Sequence, residues 1–358
     1  MKEIINLGIP HVGEQIFQCL SSDHLIQCLK VSSAWKVLAE NILYNRWKGN
    51  FSKAYQSDKS EIVRILLEHS KSEEIESMIK AAFAFACENG RRGVVKTLLN
   101  HQYSKYIDFN ATNNFGYTAF YMACHNGHKY VVKLLLDNSN IDFNTKRDNG
   151  WKAFIVACKK GQTDVVKLLL EHLRHIDNLG NIALFKACEN GHKDVVKVLL
   201  DHCIDLNVKD RTGWTAFMIA CRFGYKDIVK IILDHRRSQD INFNTRNLAG
   251  MTTFMLACQY GHINVVKLHL DHPSFKIVHF NARNNRGMTA FMIACKYGCT
   301  DIVESILNHA SSKTIDLNAK CDLGDTGYLM ARYHGHKRVV HLLKVHPSCE
   351  GMDLNTKV

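Results

Sequence analysis

Residues 215–235 read TAFMIACRFGYKDIVKIILDH, and the fold follows from this stretch. Over 215–223 the residues Phe217, Ala220 and Cys221 fall at i, i+3 and i+4, one face of a short helix. Gly224 then breaks the helix, because glycine tolerates the backbone turn that ends it. A second helix is predicted over DIVKIILDH, with Ile228, Val229, Ile231 and Ile232 facing inward and Lys230 outward. The small side chains of Ala220 and Cys221 let the two helices approach closely.

The stretch is one copy of a repeat. The string A-F-x-x-A-C-x-x-G-x-x-x-V-V-K-x-L-L recurs along the chain, with its second alanine at Ala54, Ala86, Ala123, Ala157, Ala187, Ala220, Ala257, Ala294 and Ala331. The intervals are 32, 37, 34, 30, 33, 37, 37 and 37 residues. So regular a period implies units that bury their apolar faces only against neighbouring units. Glycines like Gly224 recur at 90, 127, 161, 191, 261, 298 and 335. After most second helices comes a polar D-x-N-like segment and a turn ending in Gly, as in DLNVKDRTG (205–213), which predicts a hairpin finger.

This pattern resembles the ankyrin repeat, D-x-x-G-x-T-P-L-H-x-A-A-x-x-G-H, seen here as DRTGWTAFMIACRFG (210–224) and NNRGMTAFMIACKYG (284–298). The resemblance covers about nine units over 51–358 and implies an all-α ankyrin-repeat solenoid of helix-turn-helix units with hairpin fingers. Ala or another small residue replaces the family's Pro, removing one helix-start signal. Its His becomes Tyr121, Ile155, Met218, Met255 or Met292, which predicts a drier interior. The four intervals of 37 carry extra residues between helix and finger (HQYSKY, HRRSQD, HPSFKIV, HASSKT), and EHLRHIDNLGN (171–181) lacks a D-x-N, predicting a shortened finger. The first unit, FSKAYQSDKSEIVRILLEH (51–69), has Asp58 where Gly is usual and reads as a polar cap. The chain stops at DLNTKV, the opening of a further finger, which reads as an incomplete cap or a fragment.

Residues 1–50 do not fit the repeat. They predict three short helices carrying Ile16, Leu20, Leu25, Leu29, Val31, Trp35 and Leu38, more apolar surface than so small a piece buries alone. The segment resembles an F-box through Ile9, Pro10, Ile16, Phe17, Leu20, Leu25, Val31 and Trp35, followed by Leu43 and Trp47. Pro10 and Ile16 stand one residue closer than in the family, and Gly13 replaces an aliphatic residue. The resemblance implies docking on a Skp-type adaptor of a cullin–RING ubiquitin ligase, making the chain a substrate-receptor subunit. Two other readings stay open: a plain ankyrin scaffold or inhibitor capped by residues 1–50, and a basic solenoid that binds nucleic acid.

Composition bounds the rest. The chain of 358 residues is 46% hydrophobic and 22% charged, with a net charge of +12. That charge is spread thinly, its tightest runs being Arg91-Arg92 and Arg236-Arg237, which favours a solvated surface over a nucleic-acid site. No run of 18 uncharged apolar residues marks a membrane span, and MKEIINLGIPHVGEQ is unlike a secretion signal. Thirteen cysteines, mostly one per repeat, suit packed thiols in the cytosol or nucleus. Eight of twenty histidines (His69, His101, His172, His202, His235, His272, His309 and His346) end second helices, where a donor complements the helix C-terminus. One ligand per unit, about 8–10 Å apart, cannot converge on a metal ion. No nucleophile elbow, P-loop, C-x-x-C or H-E-x-x-H is present, so neither an enzyme nor a cofactor is expected, and the chain by itself is read as a monomer. The D-x-N asparagines (Asn110, Asn144, Asn207, Asn318) match family positions that are hydroxylated in relatives; the sequence does not decide this.

In the ankyrin family targets lie along finger tips and first helices. The positions matching that groove are Trp151, Trp214, Arg222, Phe223, Met251, Gln259, Tyr260, Met288, Lys296, Tyr297, Tyr333 and His334. From Trp214 onward all but Gln259 are aromatic, Met or cationic, types enriched at binding hot spots, and would suit an acidic, partly apolar partner. The bland alternative packs the finger Trp and Met on neighbouring fingers.

Overall fold

The nine repeat alanines are all fully buried, and so are the cysteines that follow seven of them, from Cys87 to Cys295. Small residues there let the helices of a pair pack closely, and the pairs then stack on one another. In the computed structural model, which describes residues 10–70, 72–138, 150–173, 177–202, 205–236, 238–273, 280–309 and 315–352, the chain is all-α. Twenty-one α-helices and no strand lie among the described residues.

The chain divides into two compact units, Met1–Ala157 with Asp164–Leu173, and Cys158–Thr163 with Arg174–Val358. In the first, Phe51–Gln56, Ser72–Glu88 and Ala119–His125 stack as one row of helices, and Ser60–Glu68, Arg92–Asn100 and Lys129–Leu136 as a second. In the second, the first-helix row is Asp177–Glu189, Ala216–Phe223, Thr253–Gln259, Ala290–Lys296 and Gly327–Tyr333. Lys193–Leu200, Lys226–Asp234, Ile263–Asp271, Thr300–Asn308 and Lys337–Val345 stack beside it. Phe120, Phe154, Phe217, Phe254 and Phe291, one per helix pair, are the largest buried side chains of the array. Each contributes roughly 2–3 kcal/mol by leaving water.

Five of the first helices still have a start signal without the family's proline. Thr118, Thr215, Thr252, Thr289 and Thr326 are buried N-caps whose hydroxyls accept the backbone N–H three residues on. Met218, Met255 and Met292 are buried, as expected of a drier interior, whereas Tyr121 and Ile155 at the same place are only half-buried. One inward assignment changes: Ile231 is only half-buried and Leu233 packs inward instead. The packed stripe of that helix runs Ile228, Val229, Ile232, Leu233, a pair of neighbours every four residues.

The inter-helix glycines all have positive φ, between 69° and 77°. Asp58 holds the same conformation, φ 54°, which a residue with a Cβ adopts only at a cost. Its carboxylate Oδ1 accepts the Val94 N–H at 3.2 Å and so caps the next unit's second helix. Asp58→Ala should therefore destabilise the first helix pair by roughly 2 kcal/mol, from strain without the compensating bond. Asp58→Gly, which exchanges that bond for relief of strain, should stay within about 1 kcal/mol of the parent. Chemical denaturation of both variants checks this, and equal losses would refute the strain argument.

The fingers are tighter than the expected hairpins. Each is closed by one backbone rung, such as Asp210 N to Trp214 O at 2.9 Å and Asn284 N to Met288 O at 3.0 Å. An Asp or Asn side chain fills the turn: Asp210 Oδ1 accepts from Thr212 and Trp214 N–H, and Asn247 Oδ1 from Ala249 and Met251 N–H. Successive fingers join through Leu248 N to Thr212 O, Asn285 N to Ala249 O and Asp322 N to Arg286 O, each 3.2 Å. Lys209, Arg246 and Arg283 each donate to a carbonyl of the finger after their own. Much of the finger charge thus serves the stack.

Where EHLRHIDNLGN omits its D-x-N, the helix Asp177–Glu189 takes the finger's place. HQYSKY and HRRSQD include the single 3-10 turns Ser104–Tyr106 and Ser238–Asp240. Residues 139–149 with Asn144, most of HPSFKIV and HASSKT, and DLNTKV lie outside the described residues.

Candidate binding surface

The first helices of the second unit end in exposed rings. Phe223, Tyr260, Tyr297 and Tyr333 are 44, 44, 48 and 59% exposed, one on each of four successive helix pairs. Their position follows from the turn. The chain must reverse at the glycine, so the residues just before it cannot reach the packed face, and whatever stands there meets water. In earlier pairs that place holds Asn89 and Asn190, whose amides donate to the helix carbonyl four residues back. From Phe223 onward it holds rings, Phe223, Tyr260, Tyr297 and His334, with Tyr333 one residue before the last of them, a row of the kind that marks an interaction site.

Beneath the rings lies the bond that ties unit to unit. His262 Nε2 donates to Arg222 O, and His336 Nε2 to Lys296 O, both at 2.8 Å. His192 does the same to Lys159 O at 2.8 Å, and in the first unit His128 to Glu88 O at 2.8 Å. These histidines form a class separate from the helix-ending ones, of which His69, His172 and His202 bond the carbonyl four residues back at 2.8–2.9 Å. Tyr260 stacks on His262 and Phe223 on Tyr225, so the exposed rings also cover the stacking bonds. Sequence reading assigned only the helix-ending set; the Gly-His dipeptides at 127–128, 191–192, 261–262 and 335–336 were the signal for the other.

Arg222 is the hub of the row. Its guanidinium carbon stands 5.1 Å from the Trp214 ring centre and 5.6 Å from those of Phe223 and Tyr260. The Gln259 amide donates to the Tyr297 hydroxyl at 3.5 Å, and Lys296 lies 6.0 Å from the Tyr297 ring centre. His334 is exposed and stacks on His336. Trp214, Arg222, Phe223, Gln259, Tyr260, Lys296, Tyr297, Tyr333 and His334 thus all belong to the second unit's first-helix side.

Met251 and Met288 do not present themselves. They are 6 and 8% exposed, so the expectation that they line an open groove is corrected. The Asn284 amide of the next finger sits 3.3 Å from Met251 Sδ, and finger stacking folds both side chains inward. The side chain of Trp151 lies outside the described residues.

The N-terminal helices Pro10–Cys19, Ser22–Cys28 and Ser33–Trp47 form a small cluster. Phe17 and Leu25 are its buried centre, with Trp35 edge-on to Phe17 at 5.2 Å. Ile16, Leu20 and Trp35 are half-buried, Val31 and Val37 exposed; Ile9 and the Pro10 side chain lie outside the described residues. Arg46 donates to Leu20 O at 2.8 Å and Gln18 O at 3.0 Å, satisfying the carbonyls that end the first helix.

The cluster is fastened to the first repeat. Arg64 bonds Glu40 at 3.0 Å as well as Glu61 and Glu68 on its own helix, Tyr44 stacks on His69 at 4.8 Å, and Lys59 pairs with Asp23 at 2.6 Å. Burial works against the Arg64 charge, but its bonds to Glu68, Glu40 and Glu61 outweigh it and raise the pKa. Sequence reading missed Arg64, because its cross-element partner Glu40 is 24 residues away.

Burial pushes the repeat thiols, from Cys87 to Cys295, above their usual range, away from the reactive thiolate. Among the described residues no group of three or more His, Cys, Asp or Glu is placed to hold a metal, and no helix is long and apolar enough to cross a membrane.

A family model described as ankyrin repeats (3 copies) matches residues 101–179, 172–247 and 237–321. No F-box match is found, and a search of curated proteins returns no match. The matched stretches run through both units and cover more than half of the chain, with six of the nine repeat alanines, Ala123 to Ala294, inside them. The chain therefore belongs to the ankyrin-repeat family.

Proposed function

We propose that this chain is a non-catalytic adaptor that holds a target protein on the second unit's aromatic row and brings it to a ubiquitin ligase through residues 10–47. Ankyrin repeats are protein-interaction modules, and the coarse part of the reading rests on them. The observation that carries the target site is four rings left 44–59% exposed on four successive helix pairs, which burial alone does not explain. Adaptor coupling is supported by the cluster around Phe17 and Leu25, which keeps Val31 and Val37 at its surface while Arg64 fixes it to the first repeat. Such an arm would act by effective concentration, holding a target lysine near a ligase-bound E2.

Val31→Glu with Val37→Glu tests the coupling without touching the buried centre. Capture of a Skp-type adaptor from a eukaryotic lysate by the parent chain, and its loss with the double variant, is the expected result. No capture by the parent chain sinks the ligase reading and leaves the scaffold. That second reading is favoured by the same Arg64–Glu40 bond, since a segment so fastened also caps the first repeat. It predicts that deleting residues 1–50 only destabilises Phe51–Gln56 and Ser60–Glu68.

A further inference from the structure

The second unit's row is chemically one-sided. Its first helices from residue 216 on, AFMIACRF, TFMLACQ, AFMIACK and GYLMARY, carry Arg222, Lys296 and Arg332 and no acid. The adjoining second helices mix the signs, with Asp227, Asp234, Asp271, Asp301 and Glu304 among their lysines. The place of Arg222 is held one helix pair earlier by Glu189, which pairs with Lys186 at 2.7 Å. The place thus changes sign from Glu189 to Arg222.

Arg222 is also held still. Trp214, Phe223 and Tyr260, drawn from a finger and two first helices, all lie within 5.6 Å of its guanidinium carbon. Rings satisfy the flat faces of a guanidinium but not its N–H edge, which is built to meet a planar anion with two parallel hydrogen bonds. Among the described residues no ion pair or hydrogen bond takes up that edge. An arginine so positioned loses little further side-chain freedom on binding.

We infer that the row receives an extended acidic segment of a partner protein, with one carboxylate paired edge-on to Arg222 and a second on Lys296. This rests on the reading that a target lies on this row. A carboxylate fits better than a phosphoryl group, because one guanidinium matches one planar monoanion and the next cation of the row stands two helix pairs away. Helix pairs stack about 8–10 Å apart, so the two cations are separated by about 16–20 Å. An extended chain rises about 3.3 Å per residue, which places the two acidic residues about five or six positions apart. The side chains between them meet Tyr260, Gln259 and Tyr297 and should be apolar or aromatic.

Selection of displayed short random peptides on the full-length chain tests this. The expected outcome is enrichment of two acidic residues about five or six apart with apolar residues between. A fluorescein-labelled peptide of that consensus should bind the Arg222→Gln chain about tenfold more weakly or worse, since a charged hydrogen-bond pair is lost. Arg222→Glu should redirect selection toward Lys or Arg at the first position, which a merely misfolded surface could not do. If peptides are enriched and lose binding on Tyr260→Ala, but show no acidic pair or are indifferent to Arg222→Gln, this inference falls while the target site stands. If no peptide is enriched, both fall.

Discussion

Gly224→Ala should destabilise the second unit by roughly 3 kcal/mol, whereas Gly335→Ala, at the equivalent turn, should cost only about 1–2 kcal/mol. Both glycines hold positive φ, 72° and 76°, so both variants meet the same backbone penalty. They differ in what lies above the Cα. A Cβ at Gly224 would fall well inside contact distance of the His262 ring, while one at Gly335 meets nothing within 4 Å. To make room, His262 must leave Arg222 O, and the stacking bond of 2.8 Å is lost with the Tyr260 ring packed upon it. Gly298 faces His336 in the same way and should follow Gly224. Urea titration with hydrogen exchange at residues 216–234 and 253–271 reads the difference. Equal costs for the two variants would mean that the glycine serves the turn alone and the histidine bond contributes nothing.

The second large effect is acid sensitivity centred on His269. This residue is fully buried where the other second helices of the unit place Leu or Ile, as at Leu199, Ile232 and Ile306. Phe217, Phe243 and Phe254 surround its ring; Nδ1 faces Val265 O at 2.9 Å, and Nε2 lies 3.3 Å from Thr253 Oγ1 and 3.8 Å from Cys221 Sγ. Burial pushes its pKa down to about 4, the Val265 carbonyl opposes that and the neighbouring His272 adds to it. Unfolded, the imidazole takes a proton below its ordinary value of 6.5. Between the two values the unfolded chain binds more protons, so the stability this group contributes is complete above about 6.5 and is lost as pH falls toward 4. The full loss is roughly 3 kcal/mol. His269→Leu should remove that slope while staying within about 1–2 kcal/mol of the parent at pH 7.5, where the cost is the Thr253 hydroxyl left without its ring partner. Denaturation at a series of pH values decides it: parallel pH profiles for the parent and variant would place the acid sensitivity elsewhere.

The periodic positions needed no coordinates. An alanine and a glycine kept at a near-constant interval specify a helix pair, and every repeat alanine is buried and every inter-helix glycine has positive φ because small or Cβ-free residues fit those places at least cost. Asp58 was legible by the same logic: the place demands positive φ whatever residue fills it. The exposed end of the first helix also followed from a single period, since inward and outward are properties of one helix.

What one period cannot give is the distance between periods. Met251 and Met288 read as surface because they follow a turn, and only the stacking of the next finger turns them inward. Arg64 joins Glu40 across two elements, and Arg222 gathers rings from a finger and two first helices. The sequence by itself thus determined the repeating unit and which of its faces is packed. The tertiary structure alone decided which residues of different units meet, because close packing between units fixes those contacts and no spacing along the chain encodes them.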